Sequence, residues 1–290
     1  MTDLAKKFRL SLVFLLLGTV LAPPGHARTK YTTIDVPGAV LTEAFGINNG
    51  GQIVGAFYGH DFVTHGFLLS DGVFTQIDFP AATATYATGI NDSGQIVGFY
   101  TVMGSDHGFL LTGINFTMID VLGASSTWAS GINNQGVVVG YSFTNVYSGF
   151  IWNQGVVTTL TDPKASTGGT SATAINNLGD VVGYYGNAAG KTVGFVFKNG
   201  RFQDISFPKW NAVVPLGVND IGRVVGFAIS ENGSEFGFAF KAGWGFGIIN
   251  VPRADYTEVL SVNALEQKVG FYQDHNQGAH GFLKTEVNRR

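Results

Sequence analysis

One pattern recurs along almost the whole chain. Gly89-Ile90-Asn91-Asp92-Ser93-Gly94-Gln95-Ile96-Val97-Gly98 reads as a strand, a tight turn and a second strand. Its asparagines, Asn48, Asn91, Asn133, Asn176, Asn219 and Asn263, follow one another at intervals of 42 to 44 residues. Two further signatures keep the same beat. One is a Gly-Phe pair, from Gly66-Phe67 to Gly281-Phe282; the other is a run such as Phe74-Thr75-Gln76-Ile77-Asp78 or Phe202-Gln203-Asp204-Ile205. Each interval therefore offers four short strands rich in Val, Ile, Phe and Thr, which is the period of a β-propeller blade.

The predicted fold is all-β: a six-bladed β-propeller of four-stranded antiparallel blades, with strands a to d running outward. The third signature is missing after the sixth Gly-Phe pair and appears at the other end, as Tyr31-Thr32-Thr33-Ile34-Asp35-Val36-Pro37. Residues 31–37 are thus expected to supply strand d of the last blade and close the ring, which removes an unpaired edge. One face of strand a carries small residues, as at Ala44 and Gly46 or Ala87 and Gly89; these suit a crowded axis. The six asparagines are expected to be structural, since Asn bonds its own backbone and the following glycine takes the φ > 0 position of the turn. Asp35, Asp78, Asp120, Thr161, Ser206 and Asn250 end the third signature and read as turn or capping residues.

The totals agree with a compact, turn-rich protein: 41 Gly among 290 residues, 13% aromatic and 13% charged. A net charge of -3 gives no electrostatic case for nucleic acid. The absence of cysteine removes disulfides, thiolate metal sites and cysteine nucleophiles together. Lys6, Lys7 and Arg9 precede an apolar run from Leu10 to Leu21, and Ala22 to Ala27 ends with small residues at −3 and −1. This predicts a signal peptide over 1–27, with one propeller domain over 28–290, exported to the periplasm, the cell surface or the medium. A dozen apolar residues are too few to span a bilayer, and no later stretch is long and apolar enough.

The Gly-Ile-Asn-Asn-x-Gly-x-Ile-Val-Gly core, the His65-Gly66-Phe67 element and the Phe74-Thr75-x-Ile77-Asp78 element together resemble the HAF-type probable extracellular repeat family of bacteria. The resemblance runs over residues 31–284 and is best in the first three copies; the sixth has Glu266 where the turn glycine stands elsewhere. It implies an exported repeat protein and transfers no catalytic residue.

Function is expected on the face that carries the b–c and d–a loops, which vary between repeats, as loops that bind ligands usually do. His65, His107 and His280 begin strand c in blades one, two and six, and Glu43 and Glu258 lie near the end of strand a in blades one and six. Imidazoles with carboxylates suit a metal or acid–base site, so these five are the candidates for a hydrolase or lyase. Otherwise the histidines are strand-start residues bonded to their surroundings. Tyr86, Trp128 and Trp210, with His60, Asp61, Asp106, Asp274 and His275 in the loops, are the candidates for stacking on a sugar ring or anchoring a protein. Arg201 and Arg223 fall in turns on the face opposite Arg253, so no arginine cluster exists for a substrate carboxylate. The leading expectation is a monomeric module that binds an extracellular glycan or protein, without metal or cofactor.

Overall fold

The computed structural model describes residues 28–166 and 168–287. The leader expected over 1–27 lies outside the described residues. The described chain is all-β, with 24 strands and no helix. They form four hydrogen-bonded sheets, two of four strands and two of eight. Each eight-stranded sheet consists of two antiparallel meanders joined by one parallel pair, Thr64 with Ala84 in one and Thr192 with Ala212 in the other.

Repeat one shows the common plan: strand a is Leu41–Ile47, strand b Ile53–Tyr58, strand c Thr64–Ser70 and strand d Val73–Ile77. The sixth unit departs from it as expected from the sequence. Its fourth strand is Arg28–Ile34, which pairs antiparallel with Ala279–Val287, from Arg28 opposite Val287 to Ile34 opposite Gly281.

The Gly-Phe signature is the core. Phe67, Phe109, Phe150, Phe195, Phe238 and Phe282 are all fully buried, at 0 to 1% exposure. Burying a ring of this size stabilises the fold by roughly 2–3 kcal/mol. The last glycine of the motif makes room for each of them. A Cβ on Gly98 would meet the Tyr86 carbonyl oxygen at 1.8 Å and the Phe109 ring at 2.8 Å. No side chain fits there.

The motif asparagines do more than turn the chain. Each amide Nδ2 donates to the carbonyl of the next asparagine: Asn48 to Asn91 at 3.1 Å, Asn91 to Asn133, Asn133 to Asn176, Asn176 to Asn219 and Asn219 to Asn263. Asn263 then donates back to Asn48 at 3.1 Å. Meanwhile each Oδ1 accepts from backbone N–H groups of its own turn, as Asn176 does from Leu178 at 3.0 Å and Asp180 at 2.9 Å. One side chain thus folds its own hairpin and ties it to its neighbour. The next residue repeats the device: Asn49 N–H to Asp92, Asp92 N–H to Asn134, Asn134 N–H to Asn177, Asn177 N–H to Asp220.

Every strand a carries a register irregularity of one residue, for example between Ala87 and Gly89. The extra residues are Phe45, Thr88, Ser130, Thr173, Leu216 and Leu260. A bulge re-aims a side chain, and here all six line the narrow axial space between the asparagine turns.

Candidate functional site

Those six bulge residues also floor a second, wider cavity of about 520 Å³. Its wall is built from strands a and b. The residue directly after the last motif glycine faces it in five repeats: Phe99, Tyr141, Tyr184, Phe227 and Phe271. Opposite these in the a–b pairing stand Tyr86, Val214 and Glu258, which complete the wall. Tyr86 stacks on Phe99 with ring centroids 4.5 Å apart, so two aromatic faces present a single flat edge. Burial pushes the Tyr141 and Tyr184 phenols up, and the Ser171 hydroxyl beside Tyr184 pulls the other way.

One side of this cavity is acidic. The Glu258 carboxyl is pushed up to about 8, first by burial and then by the charges of Glu235 and Glu43. Burial raises Glu43 as well. It also raises Glu235, against which a hydrogen bond from Glu258 acts. Glu235 Oε1 is buried and accepts no hydrogen bond among the described residues. The three carboxylates come from repeats five, six and one. Burial and like charge both favour the protonated form of a carboxyl.

The histidines lie elsewhere. His65 Nδ1 bonds Asp78 at 2.8 Å and its Nε2 bonds Asp61 at 2.9 Å. His107 Nδ1 pairs with Asp120 at 3.1 Å, and His280 Nδ1 with Asp35 at 3.0 Å. Each ring also lies against an aromatic of strand b, as His107 does against Tyr100 with centroids 5.4 Å apart. Burial lowers the His65 value, but hydrogen bonds and charge from Asp78 and Asp61 outweigh it and leave the imidazole above its ordinary pKa. The histidines therefore bind strand c to the end of strand d inside separate repeats, and Glu43 and Glu258 stand apart from them. Asp35, Asp78 and Asp120 are the partners of these histidines as well as strand ends. The sequence holds the signal for this: the three repeats with His at the start of strand c are the three with Asp at the end of strand d. Among the described residues no group of three His, Asp or Glu side chains is arranged to hold a metal ion.

The remaining candidates disperse. Tyr86 alone of the proposed aromatics lines the cavity. Trp128 stacks on the cavity residue Tyr141 and donates its indole N–H to Asp106 at 2.9 Å. Trp210 is half-buried among Phe236 and Phe246, with centroids 5.9 and 5.7 Å away. His60 is exposed, and His275 pairs with Asp255. Asp274 accepts from the backbone of Asn276 and Gly278, both at 2.9 Å, and shapes its own loop. The aromatic collar escaped the sequence reading because it sits inside the motif. An aromatic eight residues after five of the six asparagines was its available sign.

No family model matches the chain, and no curated protein matches it. Solved structures do match in fold. A lectin of Aleuria aurantia in complex with Fucα1-6GlcNAc aligns over 92% of this chain and 99% of its own, with a TM-score of 0.52 and 13% identity. TolB from Acinetobacter baumannii aligns over 82% of this chain and 65% of its own, with a TM-score of 0.58 and 11% identity. XC5397 from Xanthomonas campestris, a gluconolactonase, aligns over 91% and 98%, with a TM-score of 0.52 and 10% identity. At such identities the likeness is one of fold, a β-propeller-like all-β architecture.

Proposed function

We propose that the chain is an exported, closed six-bladed β-propeller of the extracellular repeat type it resembles, and that it binds a glycan in the aromatic cavity. The asparagine relay that returns from Asn263 to Asn48 supports the closed ring, as does the pairing of Arg28–Ile34 with Ala279–Val287. The observation that carries the binding reading is the 520 Å³ cavity walled by Tyr86, Phe99, Tyr141, Tyr184, Phe227 and Phe271. Sugar rings present apolar C–H faces that rest on aromatic rings, while their hydroxyls bond to Tyr OH groups and carboxylates at the rim. The fold likeness to a lectin solved with a bound disaccharide agrees with this use.

A glycan array with the protein residues 28–290, followed by calorimetry on the hits, tests it. Tyr86→Ala removes half of the stacked edge and is expected to weaken any hit by about tenfold or more, the loss typical of a buried aromatic anchor. An array that stays blank, or hits indifferent to Tyr86→Ala, refutes the reading. Hydrolysis is the second reading, favoured by Glu258, a carboxyl that faces the cavity and is pushed up to about 8. Intact glycans recovered after prolonged incubation with the wild-type protein remove it.

A further inference from the structure

The acidic side of the cavity has no counterion of its own. Glu258 faces the cavity, and the charged groups that act on it are both carboxylates, Glu235 and Glu43. The Tyr256 phenol is itself raised by burial and by these same three acids. Among the described residues no lysine, arginine or histidine forms an ion pair with them. Structural acids in this protein are treated differently: Glu266 has Arg223 and Lys268, both at 3.1 Å, and Asp180 has Lys198 at 2.6 Å. Burial without a partner is costly, and Glu235 Oε1 is buried with no hydrogen-bond partner among the described residues.

The rest of the wall suits a cation equally well. The faces of Tyr184, Phe227 and Phe271 are electron-rich and meet the same space as Glu258. A cation in reach of both aromatic faces and a carboxylate gains from each, and most in a site sheltered from water. Against an anionic ligand the same wall is repulsive, because the acids must then protonate or stand against like charge. For a neutral ligand three clustered carboxylates bring a desolvation cost with no return.

We propose that the cavity selects a glycan that carries a protonated amino group, seated between Glu258 and the aromatic collar. This rests on the glycan reading above and names its substrate class. The ammonium takes the place of the proton that Glu258 otherwise holds and donates its N–H groups to that carboxylate. Uronate- and sialate-bearing glycans are excluded by the same charges.

Three tetrasaccharides separate the possibilities by calorimetry: β1-4-linked glucosamine, its N-acetylated counterpart and its N-trimethylated counterpart. At pH 7 the glucosamine form is expected to bind about tenfold or more tightly than the acetylated one, the worth of a sheltered cation–π contact. Affinity for the trimethylated probe, whose charge is fixed, is expected to rise between pH 6 and about 8.5 as Glu258 gives up its proton. Glu258→Gln matches the shape of the protonated acid, and is expected to erase both the preference and the pH slope; Glu43→Gln is expected to reduce them. Equal binding of amine and acetamide, unchanged by Glu258→Gln, overturns the cation proposal and leaves the glycan reading standing. No binding of any of the three by wild-type protein overturns the proposal, and with a blank array it removes both.

Discussion

Replacing Asn176 by Asp separates two roles that a motif asparagine combines. Its Oδ1 accepts from Leu178 and Asp180 within the turn, and its Nδ2 donates to the Asn219 carbonyl of the next repeat at 3.1 Å. Aspartate keeps both acceptor bonds and is as good a turn residue as asparagine. It has no donor, and it sets a carboxylate oxygen against the buried carbonyl of Asn219. Asn176 is only 4% exposed, so water does not repair the loss. The Asn219 carbonyl still accepts from the Gly222 N–H at 3.0 Å, so the cost is the one lost bond, about 1 kcal/mol, and about 1–3 kcal/mol more for a buried carboxylate oxygen that faces this carbonyl without a donor. Asn176→Asp is therefore expected to destabilise by about 2–4 kcal/mol, close to Asn176→Ala, which loses three bonds of about 1 kcal/mol each. Urea denaturation followed by tryptophan fluorescence, with unchanged m-values, reads both variants against wild type. If the asparagine serves its turn alone, Asn176→Asp falls within about 0.5 kcal/mol of wild type while Asn176→Ala does not, and the relay between repeats carries no stability.

Two further predictions concern other joints. The His65–Asp78 pair raises the folded-state pKa of His65, so its contribution is full below the ordinary histidine value and lost as pH rises through the folded one. Asp78→Asn is thus expected to cost roughly 0.5–1 kcal/mol at pH 6 and much less at pH 9, read by urea titration at both; an equal cost at the two pH values contradicts the pairing. Deleting residues 28–36 strips the partner from Ala279–Val287 and uncovers Phe282, against which Tyr31 packs edge-on at 6.0 Å. Light scattering and thermal melts are expected to show aggregation and a markedly lower Tm, whereas a soluble variant of wild-type stability contradicts an architectural role for this strand.

The strands were legible because glycine, asparagine and buried phenylalanine recur at fixed intervals, and these residues answer to backbone geometry and volume. Even the displaced strand follows from counting the third signature, which sets it at residues 31–37; it lies three residues earlier, at Arg28–Ile34. The site was less legible. Trp210 and Trp128 fall in or near the variable d–a loops, which suggests exposed stacking faces, yet one is packed between phenylalanines and the other is held by Asp106. Phe99, Tyr141, Tyr184, Phe227 and Phe271 were hidden inside a motif that looks wholly structural. Strand alternation does not mark them, because strand b carries apolar residues on both faces, as at Ile96, Val97, Phe99 and Tyr100. Glu235 begins strand c one residue before the place where repeats one, two and six have histidine, so only the folded arrangement sets it beside Glu258.

The second tier of turn contacts has a gap. Ala264 donates its N–H to Asn49 but has no side-chain oxygen to offer Asp220, so repeats five and six lack the link the other neighbours share. Their junction relies on Arg223 and Glu266 instead, at 3.1 Å, with Glu266 in a left-handed conformation at φ 60° that the other turns give to glycine. Ion pairs weaken as ionic strength rises and neutral hydrogen bonds hardly respond. If the ring closes as proposed, it has one joint of a different material: in concentrated salt the first breathing motion belongs between the fifth and sixth units.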